Sequence, residues 1–225
     1  MDIAYRDLSL MDYKECWAYQ QSLFDTLLSR KGSLDAQAGY LLLVEHPAVY
    51  TLGKSGRETN MLIDEQTLAK IGACYYHIDR GGDITFHGKG QLVGYPILDL
   101  EKIGMGLKDY IHRLEQAIIR TVATFGITAG RIEGASGVWI EGTGVAPRKI
   151  CAIGVRASRY VTMHGFALNV STDLNYFSYI NPCGFVDRGV TSLEKELGKE
   201  VSMDEVKSRV VQCLSEELNV KIYKN

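Results

Sequence analysis

Several features that would assign a chain of this size to a class are missing from its sequence. The longest purely apolar run, Tyr40 to Val44, has five residues, whereas a membrane-spanning helix needs about 20. Asp2, Arg6 and Asp7 leave no room for the apolar segment of a secretory signal. Neither charge dominates, because 25 basic and 27 acidic residues give a formal charge of −2. We therefore expect a cytoplasmic protein with neither a membrane nor a nucleic acid as its partner.

The cysteines also lack a recognisable framework. There are five of them, an odd number without the spacing of metal ligands, which argues against both disulfides and a metal site. Cys16 and Cys213 fall in predicted helices and Cys74 lies beside a predicted strand, so we interpret these three as packing residues. We expect no metal and no cofactor.

What the sequence does contain is ample material for a core. Apolar residues make up 46% of the 225 residues, and neither a linker nor an internal repeat divides the chain, so we expect one domain over 1–225. Predicted strands and helices alternate irregularly, which favours an α+β fold with a mixed β-sheet and flanking helices. The predicted elements are helices from Tyr13 to about Gly32, from Asp64, from Leu107 to Phe125 and from Ser202, and strands at 3–8, 41–44, 49–52, 75–79, 91–100, 138–140, 150–155 and 166–170.

The segment from Arg80 to Tyr95, R-G-G-D-I-T-F-H-G-K-G-Q-L-V-G-Y, is the most informative stretch. Its glycines let the backbone approach another group closely. Thr85 and His87 are two residues apart, so on a strand they point to the same face. The pattern indicates the wall of a pocket; a bulged hairpin with a solvated histidine is the alternative.

This segment resembles the signature of the octanoyltransferases, also called lipoyl(octanoyl)transferases. The pattern R-G-G-x-x-T-x-H-x-x-G-Q-x-x-x-Y is matched by Arg80, Gly81, Gly82, Thr85, His87, Gly90, Gln91 and Tyr95. Further segments similar to that family follow one another in the family's order: H-P-A-V-Y-T-L-G from His46, K-I-C-A-I-G-V-R from Lys149, M-H-G-F-A-L-N-V from Met163 and N-P-C-G-F from Asn181. The resemblance implies the fold of the catalytic domains of biotin- and lipoate-protein ligases.

The resemblance also implies a reaction. Cys183 would attack the thioester of octanoyl-acyl carrier protein and form an acyl-thioester enzyme. Lys149 would lower the pKa of that thiol, relay its proton and later accept a proton from the incoming amine. The acceptors would be specific lysines of the lipoyl domains of 2-oxoacid dehydrogenases and of the glycine-cleavage H protein, and no ATP would be needed. Cys151, close to Lys149 in sequence, is the alternative nucleophile.

The acyl pocket implied by the resemblance is lined from three segments. Its residues would be Arg80, Gly81, Gly82, Asp83, Ile84, Thr85, Phe86 and His87, then Ala152, Ile153 and Gly154, then Gly165, Phe166 and Ala167. Small residues there predict a narrow apolar channel suited to eight carbons. Cys151 stands where the family pattern leads us to expect a smaller residue, and Met163 and Phe166 could change the pocket size. His164 is either a polar group near the site or a hydrogen-bonded core histidine.

Three other functions fit parts of the pattern. An ATP-dependent lipoate- or biotin-protein ligase shares the fold, but needs no cysteine beside its lysine. An amidotransferase that moves octanoate between lipoyl-type proteins would differ only in its donor. A non-catalytic acyl-binding module would keep the glycine-rich wall and have no use for both Lys149 and Cys183.

Overall fold

The computed structural model describes residues 1–181 and 189–224. The helices are α1 (Tyr13–Ser29), α2 (Glu65–Lys70), α3 (Leu107–Ala123), α4 (Leu193–Leu197) and α5 (Met203–Leu218). The strands are β1 (Asp2–Leu10), β2 (Gln37–Glu45), β3 (Val49–Leu52), β4 (Cys74–His77), β5 (Ile84–His87), β6 (Gln91–Leu98), β7 (Gly130–Ile132), β8 (Ala135–Gly142), β9 (Val145–Ser158), β10 (Val161–Asn169), β11 (Gly189–Val190) and β12 (Lys221–Lys224).

A large mixed sheet forms the centre of the molecule. Within the described residues its strand order is β12-β1-β2-β6-β10-β9-β8-β7, and β11 pairs with β9 as well. The pairs β12–β1, β1–β2 and β11–β9 are parallel, and the others are antiparallel. The registers Ala152–Ala167 and Gly154–Gly165 in the β9–β10 pair bring two segments of the family pattern side by side.

A second, smaller sheet has the order β4-β3-β5. The strands predicted on either side of Pro47 therefore exist, but they lie in different sheets. β2 is buried along most of its length in the large sheet, whereas β3 pairs with β5, which carries part of the Arg80–Tyr95 segment. This separation puts the glycine-rich segment opposite a face of the large sheet.

The helices cover the large sheet on both faces. α3 and α5 pack on one face, where Leu114, Ile118 and Val122 follow helical spacing into the larger apolar cluster. α1 packs on the other face through Cys16, Phe24 and other apolar residues. The predicted α+β class with a mixed sheet and flanking helices is thus confirmed.

The ends of the predicted elements are mostly correct to within two or three residues, although β2, β9 and β10 begin well before their predicted starts at Leu41, Ile150 and Phe166. Asp64 caps α2, because its carboxylate accepts a hydrogen bond from the Thr67 N–H at 2.8 Å. Ser202 caps α5 in the same way, through the Glu205 N–H at 3.4 Å. Across the part of the chain that the structure describes, no helix is both long and apolar enough to span a membrane.

Candidate active site

A cavity of about 600 Å³ lies between the large and the small sheet. Strands β6, β9 and β10 supply one wall, and the Arg80–His87 segment with Tyr13 of α1 supplies another. A short 3-10 helix, Leu174–Tyr179, contributes Leu174, Phe177 and Ser178. A cavity of this size, mostly apolar with a few polar groups, is typical of small-ligand sites.

Most of the predicted pocket residues line this cavity. They are Arg80, Gly82, Asp83, Ile84, Thr85, His87, Ala152, Ile153, Gly154, Gly165, Phe166 and Ala167. Thr85 and His87 lie on the same face of β5, as their spacing predicted.

Gly81 and Phe86 do not line the cavity, which differs from the expectation. Phe86 lies on the opposite face of β5, where its ring stacks on Tyr176 with 4.6 Å between ring centroids, because side chains alternate along a strand. Gly81 instead pairs with the large sheet, since its N–H donates to the Val155 carbonyl at 2.9 Å.

Lys149 lies in the cavity wall near one end of β9. Its side chain is half-buried, and its Nζ lies 4.6 Å from the centroid of the Trp139 ring. Its backbone carbonyl accepts a hydrogen bond from the Thr191 N–H at 3.0 Å, next to the pairing of β11 with β9.

Cys183 lies outside the described residues. Asn181, two positions earlier in the sequence, and Gly189, six positions later, both line the cavity. The role of Cys183 as the nucleophile therefore stays a prediction. The described residues on both sides of it in the sequence belong to the cavity wall.

The other cysteines differ sharply in environment. Cys151 is fully buried on the side of β9 that faces the α3–α5 cluster, and burial raises the pKa of its thiol far above the ordinary value. Such a thiol makes a poor nucleophile. Cys16 and Cys213 are buried packing residues as predicted, but the same prediction for Cys74 is wrong, because Cys74 is exposed at the edge of the small sheet.

Arg80 holds the glycine-rich turn in place. Its Nη2 donates to the carbonyls of Thr51 and Asp83 at 2.7 and 2.6 Å, and its Nη1 donates to the Gly81 carbonyl at 3.0 Å. Burial of this cation is thus matched by backbone acceptors. These contacts explain the arginine of the signature as a support for the turn 80–83.

A chain of hydrogen bonds connects this arginine with Thr191, whose own N–H donates to the Lys149 carbonyl. In order of donation it runs through Arg80 Nη2, Thr51 Oγ1, His87, Gln91, Asn169 and the Thr191 carbonyl, with successive distances of 3.1, 3.4, 2.8, 2.9 and 2.9 Å. Gln91 also donates to the Phe86 carbonyl at 3.1 Å. This direction of donation requires His87 to be neutral, with its proton on Nδ1, which donates to Gln91, while Nε2 accepts from Thr51. Burial fits this, because it lowers the pKa of His87 to about 3.

A second group of rings closes the cavity beside α1. His46 Nδ1 lies 2.7 Å from the Met11 carbonyl and must donate to it, so His46 Nε2 accepts from the Tyr95 hydroxyl at 2.8 Å. Burial lowers the pKa of His46 to about 4. Tyr13 stacks on His87 with 5.8 Å between centroids and touches His46 edge-on. His46 thus holds Tyr95 in the cavity wall.

His164 is both a polar group of the cavity and a hydrogen-bonded buried histidine. It is 1% exposed and lines the cavity, and its Nε2 lies 2.8 Å from a carboxylate oxygen of Asp79, which also pairs with Arg156. The hydrogen bond from His164 is the main cause that lowers the pKa of Asp79, while burial lowers the pKa of His164. His164 has a φ of 62°, a strained backbone conformation for a residue with a side chain.

The described residues 1–181 and 189–224 include no group of three or more His, Cys, Asp or Glu side chains placed to hold a metal ion. Sequence reasoning did not identify Tyr13, Trp139 and Asn169 as cavity residues. Only strand register brings the last two to Lys149 and Gln91, and no local spacing reveals register. Tyr13 opens α1, and its position offered no signal beyond the helix itself.

These features define a class of catalytic domain. The family model for the lipoyl protein ligase A/B catalytic domain matches residues 12–215. In the structure of a bi-partite lipoate protein ligase from Thermoplasma acidophilum, the same fold is present with a TM-score of 0.72 at 18% identity, over 99% of this chain and 87% of that one. A lipoate-protein ligase A bound with ATP gives a TM-score of 0.70 at 16% identity, over 100% and 87% of the chains. At such identities these two structures indicate the fold alone.

Sequence relatives specify the family within that class. An octanoyltransferase of Bacteroides fragilis strain YCH46 is 59% identical over 204 residues, which cover 91% of this chain and 92% of the relative. That of Bacteroides thetaiotaomicron is 58% identical over 215 residues, with 96% and 95% coverage. The chain belongs to the octanoyltransferase family.

Proposed function

We propose that this protein transfers an octanoyl group from octanoyl-acyl carrier protein to a specific lysine of lipoyl domains and of the glycine-cleavage H protein. The observation that carries the proposal is that the family's pattern residues on β5, β9 and β10, which are distant in sequence, line a single cavity with Lys149 in its wall. The apolar middle of that wall, with Ala152, Ala167 and Val93, suits an acyl chain.

The reaction we propose runs through a thioester on Cys183. The Cys183 thiolate attacks the octanoyl thioester, the carrier thiolate leaves, and the Lys149 ammonium protonates it. The acceptor amine then attacks the enzyme thioester, neutral Lys149 takes the amine's proton, and the Cys183 thiolate leaves. The cycle ends with the thiolate and the ammonium restored, and neither ATP nor a metal enters it.

Electrostatic support for the two tetrahedral intermediates would come from backbone N–H groups near the cavity glycines. The described residues support the alternative nucleophile poorly, since burial raises the pKa of Cys151. The structural likeness to ATP-dependent ligases reflects the shared fold, and the high identity to octanoyltransferases favours transfer without ATP.

Intact mass spectrometry after mixing with octanoyl-acyl carrier protein tests this function. We expect one octanoyl adduct without ATP, its absence in Cys183→Ser and its retention in Cys151→Ala. Transfer of the adduct to a lipoyl domain completes the test. A requirement for ATP and free octanoate would favour a ligase, and an octanoyl-lipoyl protein as the better donor would favour the amidotransferase.

A further inference from the structure

Glu196 of α4 has no part in the proposed reaction, yet it binds the residue that precedes Lys149 on β9. Its carboxylate accepts two hydrogen bonds from the Arg148 guanidinium, one on each oxygen and both at 2.6 Å. The Thr191 hydroxyl donates to Glu196 Oε1 as well, at 2.5 Å. A carboxylate that meets both arms of a guanidinium is held more strongly and in a more defined direction than one with a single contact.

The surroundings of this ion pair keep it charged and only partly wet. The Glu196 side chain is 13% exposed and the Arg148 side chain 24% exposed, so water screens their attraction incompletely. The hydrogen bonds from Arg148 are the main cause that lowers the pKa of Glu196; burial of the carboxyl opposes them, and the Thr191 hydroxyl adds to them. Glu196 is therefore a carboxylate at neutral pH.

Both partners of Glu196 are connected to the backbone of Lys149. Arg148 is its neighbour in the chain, and the Thr191 N–H donates to the Lys149 carbonyl at 3.0 Å. β11, which ends one residue before Thr191, pairs with β9 at Arg148 and Lys149. It has two residues, whereas strands usually have about five or six. Glu196 therefore adds side-chain bonds where a short strand joins β9 at Lys149.

The helix that carries Glu196 is itself fixed to the large sheet. The Glu194 N–H donates to the Val170 carbonyl, just past the end of β10, at 3.0 Å. Leu193 is fully buried in the larger apolar cluster, and the Ser192 hydroxyl caps the helix by accepting the Lys195 N–H at 3.3 Å. Glu196 thus reaches β9 from a base that is bound to β10.

We propose that Glu196 is a positioning residue that, through Arg148 and Thr191, fixes Lys149 at its place in the cavity wall. Glu196 is not among the described residues that line the cavity, so it acts through these neighbours and not on the substrate. A displacement of about 1 Å in a reacting group can cost about 10²-fold in rate. The purpose of this placement rests on the proposed function, whereas the position of Lys149 is a property of the protein alone.

The direct test measures where the Lys149 side chain lies relative to the Trp139 indole, whose centroid is 4.6 Å from Nζ. The ring current of the indole shifts the NMR signal of the Lys149 Cε protons, which lysine labelled at Cε makes visible and Lys149→Arg assigns. We expect this signal to move towards that of an ordinary exposed lysine in Glu196→Ala, and less in Glu196→Gln, whose amide oxygen still accepts a hydrogen bond. The control is Glu216→Gln, which alters the pair with Arg120 between α3 and α5. An unmoved signal in both Glu196 variants would overturn the proposal.

Thiol labelling distinguishes this placement from a general loosening of the fold. Iodoacetamide should label the exposed Cys74 equally in every variant. The buried thiols, which should stay unlabelled while the fold is intact, are Cys16, Cys151 and Cys213. If the Lys149 signal moves only in Glu196 variants whose buried thiols are labelled, loosening accounts for the movement and the proposal is rejected.

The kinetics of octanoyl adduct formation separate this proposal from the proposed function. In Glu196→Ala the rate constant should fall about 10- to 100-fold, with a nearly unchanged KM for octanoyl-acyl carrier protein, because the displaced group acts in the reaction and not in donor binding. A moved Lys149 signal in a protein that never forms an adduct supports the placement by Glu196 and rejects the transferase. Normal adduct formation with an unmoved signal rejects the role of Glu196 alone. A moved signal with a normal rate would show that the reaction does not depend on this placement, and would overturn the proposal too.

Discussion

Among individual residues, Gly154 and Gly165 of the cavity wall serve a different purpose from the one that the sequence indicated. Small residues in two segments predicted a narrow channel. A Cβ on Gly165, however, would lie 2.2 Å from the Gly94 carbonyl oxygen, and one on Gly154 would lie 2.8 Å from the Gly81 oxygen. These glycines are required by backbone packing between neighbouring segments. Ala152 is the small residue that can be enlarged towards the cavity.

Ala152→Leu should therefore change the preference for acyl length. The added volume occupies the cavity, so shorter acyl chains are favoured. Because each methylene contact contributes about 1 kcal/mol, the relative transfer rate should change several-fold for each carbon by which the donors differ. Competition between hexanoyl, octanoyl and decanoyl donors measures this. Ala157→Leu, an exposed change on the same strand, is the matched control. An unchanged octanoyl preference at preserved activity would mean that the acyl tail lies elsewhere.

The variants Lys149→Arg and Lys149→Ala should block the transfer reaction at different steps. Arginine keeps a cation over Trp139 that can stabilise the Cys183 thiolate, and the carrier thiolate can leave unprotonated. Arginine cannot accept the amine's proton near neutrality, so we expect an octanoyl adduct that forms and then persists. Alanine should impair both half-reactions. Overall turnover should fall by about 10² to 10⁴ in each, the usual contribution of a general acid-base residue. Single-turnover mass spectrometry separates the two steps, and an arginine variant with normal turnover would remove the proton relay from the mechanism.

Among the secondary-structure elements, most helices and strands were predictable from the sequence, whereas the pairing of the strands within the two sheets was not. Periodicity identified α1, α3 and α5, because their buried faces repeat at helical spacing. The two strands flanking Pro47 were also predicted, yet nothing local indicated that β2 and β3 belong to different sheets. The same applies to Gln91 and Asn169, which are 78 positions apart and meet only through the pairing of β6 with β10.

Gln91→Met tests whether the buried chain of hydrogen bonds stabilises this arrangement. Methionine has a similar shape but leaves His87 Nδ1–H, the Phe86 carbonyl and Asn169 Oδ1 without their present partner. We expect a loss of about 2–4 kcal/mol in the free energy of unfolding, since each unsatisfied buried group costs about 1–3 kcal/mol. Urea denaturation measures it. Gln212→Met on the exposed face of α5 should change stability by less than about 0.5 kcal/mol, and a similar small change at Gln91 would contradict a stabilising chain.

In the molecule as a whole, the cavity depends on two sheets that face each other. The sequence predicted the α+β class and, through resemblance, most of the residues on both walls. It could not predict the ring cluster of Tyr13, His46, His87 and Tyr95, which is assembled from α1, the β2–β3 connection and both sheets. Contacts between elements that are distant in sequence created this cluster, and with it a stability that depends on pH.

Stability should fall on mild acidification because His46 and His87 are buried as neutral rings. Their pKa values are lowered from 6.5 to about 4 and about 3 in the folded protein, so below pH 6.5 the unfolded chain binds protons that the folded chain does not. Above pH 6.5 these two histidines do not change the free energy of unfolding. Below pH 6.5 each of them lowers the free energy of unfolding by about 1.4 kcal/mol per pH unit, down to its folded pKa. Urea unfolding at pH 7.5, 6.5, 5.5 and 4.5 should show this slope. His46→Gln, whose amide can still bond Met11 and Tyr95, should flatten it, and His112→Gln at an exposed site should not. An identical slope in both variants would show that the acid sensitivity comes from other groups.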